Sequence, residues 1–167
     1  LHAGHLSLIS RSIKENDNTC VSIFVNPKQF SPDEDFDIYP RDLDTDILAL
    51  DGVKVDLLYV PQLEEMYKPG SLTAITVPVI GDILEGVYRE NFFSGVATVV
   101  AKLLIQVGPH RLYLGEKDYQ QLCVIRQMVD DLDIPTDVLA CATVREKDGL
   151  AISSRNLRLS ARQRQVA

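Results

Sequence analysis

The segment His2-Ala3-Gly4-His5 sets two imidazoles three residues apart at the start of a stretch with helical apolar spacing. On a helix, that spacing turns both rings to one side of the first turn. Free backbone N–H groups and partial positive charge collect there, so the position suits an anion. Gly4 has no side chain to hold a phosphate away from the backbone, and His2 and His5 can each donate to phosphate oxygens. Donors that meet charge as it spreads over those oxygens stabilise a transition state more than the ground state. Taken alone, the four residues also fit two surface histidines at a frayed helix end.

Two further clusters have the composition of a phosphate site. Ile152-Ser153-Ser154-Arg155 follows the turn Lys147-Asp148-Gly149 and combines two hydroxyls with a guanidinium, whose planar fork of donors stays charged and suits β- and γ-phosphates. It fits equally a serine cap beside a surface arginine. In Gly115-Glu116-Lys117-Asp118, Lys117 can meet phosphate charge, and Asp118 can cap the next helix or hold a ribose or substrate. A plain charged turn has the same composition.

Such clusters need elements that bring them together. Apolar spacing predicts helices over 4–16, 41–50, 95–107 and 118–132, with Ser160 capping a last one. The β-branched, nearly all-apolar run 19–25 and the runs 55–60, 111–114 and 136–144 read as strands of a buried sheet, with a short strand near 74–77. Between Asn26 and Pro40 lies a loop with the acidic run Asp33, Glu34, Asp35 and Asp37, which reads as a solvated face. Repeated strand, helix and strand units predict an α/β fold with a doubly wound parallel sheet, whose ligands bind beyond the carboxyl ends of the strands. The first helix has no strand before it, so a missing first strand is expected.

With 167 residues, 46% of them hydrophobic, the chain can bury one core. A formal charge of −7 argues against a general nucleic-acid binder but leaves room for a small anion held by local donors. Cys20, Cys123 and Cys141 are widely spaced within apolar runs and read as buried thiols in a reducing compartment. No segment has the ~20 apolar residues of a membrane span, so a cytoplasmic protein is expected.

The HxGH segment, Ser22-Ile23-Phe24-Val25-Asn26-Pro27-Lys28-Gln29-Phe30, Asp35-Phe36-Asp37-Ile38-Tyr39-Pro40-Arg41, 115–121 and 144–156 together resemble the pantoate-β-alanine ligase (pantothenate synthetase) family of the HxGH nucleotidyltransferase-like superfamily. The resemblance spans nearly the whole chain in matching order. It implies a Rossmann-like domain and a two-step reaction with ATP and Mg2+. The pantoate carboxylate attacks the α-phosphorus and releases pyrophosphate; β-alanine's amine then attacks the pantoyl adenylate to give pantothenate and AMP. By motif, His5 falls on the proton-donor position, with His2 beside it on the phosphates. Leu1, His2, Ala3, Gly4, His5, Gly115, Glu116, Lys117, Asp118, Val144, Ile152, Ser153, Ser154 and Arg155 fall on ATP-binding positions. Gln29 and Gln121 fall on pantoate positions, Gln29 also being associated with β-alanine. No protein metal ligand is implied, and a homodimer is.

The match has limits. The family carries Pro-Thr-Met-Gly ahead of HxGH and a smaller second domain that covers the active site, so residues 1–167 are expected to form the nucleotide-binding domain without its first strand or its lid. Where the family commonly reads RPGHFxG, this chain has Arg89-Glu90-Asn91-Phe92-Phe93-Ser94-Gly95. Two other readings stay open: a nucleotidyltransferase that releases a stable adenylylated product, and a non-catalytic nucleotide-binding module.

Overall fold

The computed structural model describes residues 1–30 and 42–167. The acidic run Asp33 to Asp37 and the motif from Asp35 to Arg41 lie outside the described residues. Helix α1 (Ala3–Glu15) buries Ile9 and leads into β1 (Cys20–Ser22). Helix α2 (Leu43–Asp51) is capped by Asp42, whose carboxylate accepts from the Thr45 amide at 3.0 Å. It is followed by β2 (Leu57–Tyr59) and the single turns α3 (Leu63–Met66) and α4 (Glu85–Tyr88). The long helix α5 (Phe92–Val107) stops at Gly108, whose φ of 61° is left-handed and whose amide donates to the Leu104 carbonyl at 2.8 Å. Strand β3 (Arg111–Gly115), α6 (Tyr119–Asp131), β4 (Asp137–Cys141) and α7 (Ala161–Val166) complete the order.

Strands and helices alternate, and the strand pairs are parallel, as the apolar pattern predicts. β1 runs beside β2 with Cys20 opposite Leu57, and β3 beside β4 with Arg111 opposite Asp137 and Gly115 opposite Cys141. The core forms where Val96, Ala97, Ala101 and Leu104 of α5 meet Val124, Ile125, Met128 and Val129 of α6, with Leu112, Leu114 and Val138 packed against them. Burial of each of the larger of these side chains stabilises the fold by about 1.5–3 kcal/mol. Among the described residues, no helix is long and apolar enough to cross a membrane.

Several local expectations change. The strands are shorter than their apolar runs and only partly buried, and Leu57 is 55% exposed. Among the described residues β1 pairs only with β2 and β3 only with β4, so each strand is covered along one edge rather than two. Residues 74–77 form no strand, because their contacts are made to a helix instead: the Ile75 amide donates to the Thr98 hydroxyl of α5 at 2.9 Å. Helix α5 starts at Phe92, before the expected Gly95, since Asn91 takes a left-handed φ of 60° that turns the chain into the helix. Cys20 is exposed, not buried, at the start of a strand whose first and third residues face solvent; Cys123 is half-buried and Cys141 buried, and all three are free thiols. Ser160 caps α7 as expected, its hydroxyl accepting from the Gln163 amide at 3.3 Å.

Candidate functional site

Helix α1 runs against the direction of β3, and that places its histidines. At its far end, Arg111 of β3 donates to the Glu15 carbonyl at 2.9 Å, and the Tyr113 hydroxyl donates to the Glu15 carboxylate at 2.9 Å. One turn earlier, Arg11 reaches the Ala140 carbonyl at 2.7 Å and Cys141 Sγ at 3.4 Å, level with Gly115. The start of α1 therefore lies beyond the carboxyl ends of β3 and β4, where ligands of parallel sheets bind.

There His2 and His5 stack with ring centroids 3.9 Å apart and planes 24° from parallel. Gly4 makes the stack possible in a way its backbone freedom alone does not suggest: a Cβ on it would lie 2.9 Å from His2 Cε1. His2 Nδ1 is buried without a hydrogen-bond partner among the described residues, a polar atom suited to a ligand. Partial burial of the ring lowers the His5 imidazole to about 4, although the residue as a whole is exposed; the neighbouring His2 adds to the effect, while Asp46 and Asp118 oppose it. His2 is lowered too, first by burial and then by Lys117. These mutual influences join Lys117 and Asp118 to the histidine pair.

The turn after β3 is a single 3-10 turn, Glu116–Asp118. Asp118 occupies the N-cap position of α6 but makes no side-chain cap; its carboxylate instead accepts from Lys117 Nζ at 3.1 Å. After β4, Val144 and Ile152 face each other across a hairpin closed by the Ile152 amide to Val144 carbonyl bond at 2.9 Å, with Gly149 turning the chain at a φ of 96°. Ser153 caps the 3-10 turn Ser154–Arg158, its hydroxyl accepting from the Arg155 amide at 3.2 Å. The hairpin and the Gly115–Asp118 turn thus leave the same end of one parallel strand pair.

Gln29 ends the 3-10 turn Pro27–Gln29 after β1, and Gln121 lies in the first turn of α6. Among the described residues no hydrogen bond joins either glutamine side chain to the other or to the histidines. Their elements are joined through the segment 80–89. Gln120 Nε2 donates to the Ile80 and Ile83 carbonyls at 2.8 and 2.7 Å, and its Oε1 accepts from the Glu85 amide at 3.1 Å. Arg89 then donates to the Gln29 carbonyl at 3.0 Å.

Sequence reasoning missed three residues here. Asn26, 2% exposed, donates from Nδ2 to the Gly95 carbonyl at 3.0 Å, while its Oδ1 accepts from the Tyr67 hydroxyl at 2.9 Å. Burial pushes Tyr67 up to about 12. Asn26 before Pro27 signals the end of a strand but not the polar knot built on it, and nothing in Gln120-Gln121 says which amide serves the fold.

The comparisons with known proteins agree on one family. A family model described as Pantoate-beta-alanine ligase matches residues 1–167. The chain belongs to the pantoate-β-alanine ligase family. Pantothenate synthetase from Roseiflexus sp. (strain RS-1) is 52% identical over all 167 residues, which make up 60% of that protein. The Brucella anthropi pantothenate synthetase is 53% identical over the same residues, 58% of its length. The chain therefore spans about 60% of the length of its curated relatives in the ligase family. Among solved pantoate-β-alanine ligases, the Thermus thermophilus protein superposes with a TM-score of 0.97 at 52% identity, covering 100% of this chain and 61% of that one. The Francisella tularensis protein, complexed with β-γ ATP and β-alanine, does so with a TM-score of 0.92 at 47% identity over 96% of this chain and 62% of its own. The parallel α/β fold is thus the fold of the nucleotidyltransferase-like part of these ligases.

Proposed function

We propose that this chain is the nucleotide- and pantoate-binding part of an ATP-dependent ligase that joins pantoate to β-alanine. The observation that carries the proposal is the stacked His2–His5 pair at the start of α1, beside Lys117, beyond the carboxyl ends of parallel strands. Support comes from the 52% identity to a pantothenate synthetase and from the ATP and β-alanine held by the Francisella relative. On this reading His2, Gly4, His5, Lys117 and the Ser153–Arg155 turn hold ATP, and Gln29 and Gln121 hold pantoate. The first strand and the covering domain of the longer relatives belong to the same proposal.

An imidazole lowered to about 4 is neutral at pH 7 and offers one N–H donor. As a triphosphate settles on the turn, its negative charge favours the protonated ring, so His5 gains a proton where charge develops. Lys117 supplies a fixed positive charge alongside. In the first step a pantoate carboxylate oxygen bonds to the α-phosphorus as the bond to the bridging oxygen breaks and pyrophosphate leaves. In the second, the β-alanine nitrogen bonds to the acyl carbon, AMP leaves, and the amine releases its proton. Positioning and charge stabilisation carry both steps.

Magnesium accompanies ATP in this proposal. Such an ion keeps waters and phosphate oxygens and needs only one or two carboxylates. Exposed Asp118, beside the histidines, fits that part, and among the described residues no group of three ligating side chains could hold a metal alone. When bound, magnesium neutralises phosphate charge. A cytoplasmic homodimer completes the reading.

The test is a full-length protein carrying this chain, supplied with ATP, magnesium, pantoate and β-alanine. Equal release of AMP and pyrophosphate, with AMP release dependent on β-alanine, is expected. Absence of AMP overturns the ligase reading, and a stable adenylylated product that ignores β-alanine marks a nucleotidyltransferase instead.

A further inference from the structure

The 3-10 turn that carries Gln29 is gripped from outside by a residue of a different element. Arg89, which ends α4, lays its guanidinium 3.6 Å from the ring centroid of Phe92. The ring face fixes the plane of the fork. Within that plane Nη1 donates to Glu85 Oε1 at 2.6 Å and Nη2 to the Gln29 carbonyl at 3.0 Å. The arginine side chain is 17% exposed, so these bonds are shielded in part from water.

The carbonyl it holds belongs to the same peptide plane as the Phe30 amide, which donates to the Pro27 carbonyl at 3.2 Å. On the other side, the Gln29 amide donates to the Asn26 carbonyl at 3.1 Å. Both peptides flanking Gln29 are therefore held, and the direction of its Cα–Cβ bond, from which the amide is reached, follows from the backbone. We infer that Arg89 is a positioning residue that sets the Gln29 amide for its carboxylate- and hydroxyl-bearing substrate, with Phe92 as the platform that orients the guanidinium.

This rests on the functional reading for Gln29, so the experiment separates the two. In the full-length protein, Arg89→Ala raises the KM for pantoate about ten-fold or more, as loss of a charge-assisted bond would, while the KM for ATP stays unchanged. Arg89→Lys keeps the charge without the planar fork and does not restore the wild-type value. In a Gln29→Ala background the Arg89 substitution adds nothing further, because its effect passes through Gln29. Phe92→Leu, which keeps apolar volume without a ring face, shows a smaller rise in the same constant and serves if Arg89→Ala does not fold. Hydrogen exchange at the Phe30 amide reads the grip without turnover and is faster in both Arg89 variants. Unchanged pantoate KM in an active enzyme, a loss of equal size in the Gln29→Ala background, or unchanged Phe30 exchange overturns the inference. An inactive wild type overturns the functional reading alone, and the exchange arm still decides on the grip.

Discussion

At the scale of single residues, the chemistry of the site depends on how far its histidines are kept neutral. His5 is held at about 4, below its ordinary value of 6.5, chiefly by burial. A histidine lowered on folding contributes stability that is complete above the unfolded value and is lost as pH falls. Urea midpoints measured from pH 7 down to pH 4 are therefore expected to fall, and to fall less in His5→Ala. A midpoint as steep in the variant as in the wild type counts against a ring that folding keeps neutral. ATP acts in the opposite direction: its phosphates raise the His5 value, so an NMR titration of the ring is expected to move upward when nucleotide is added. Gly4→Ala places a methyl against the His2 ring, which swings away and breaks the stack. ATP affinity is expected to drop several-fold with little change in thermal stability.

Elements are joined at this site by a few polar side chains. Asn26 ties the segment after β1 to α5 and to Tyr67, and truncating it takes away the acceptor of the Lys28 amide and of the half-buried Tyr67 hydroxyl and the second donor of the Gly95 carbonyl. Asn26→Ala is expected to cost about 2–4 kcal/mol in urea denaturation, against about 1 kcal/mol for Tyr67→Phe. Equal costs would mean that Asn26 acts only through the tyrosine. Gly95 has a more severe constraint, since a Cβ on it would stand 2.3 Å from the Lys28 carbonyl oxygen, a backbone atom that cannot swing aside. Gly95→Ala must push the Pro27–Gln29 turn off α5, and weaker pantoate binding is expected together with lower stability.

Across the whole molecule, the layer between α5 and α6 holds both halves of the site in register. Gln121 is on the first turn of α6, the Gln29 turn rests on the start of α5, and the two helices meet through Val96, Ala97, Ile125 and Met128, each about 1% exposed or less. Met128→Ala, far along α6 from Gln121, is expected to destabilise the protein by about 2–5 kcal/mol. Below its lowered melting temperature the pantoate KM is expected to hold, because the cavity opens away from the first turn of α6. A change in KM well below melting would show that core packing tunes the site directly.

Much of this was decided by local rules that the chain carries in its own order. Apolar spacing determined α1, α2, α5 and α6, short apolar runs located the four strands, and Ser160 capped α7, because each depends on neighbours within a few residues. The motifs at His2–His5, Gly115–Asp118 and Gln29 were legible for the same reason, and with them the family. Tertiary structure alone decided that Gln120 rather than Gln121 latches the 80–85 segment, and that Arg89 reaches back sixty residues to the Gln29 carbonyl. Such contacts join backbone groups that every residue possesses. No side-chain type marks them in advance, so only the packing of distant elements selects which carbonyl is held.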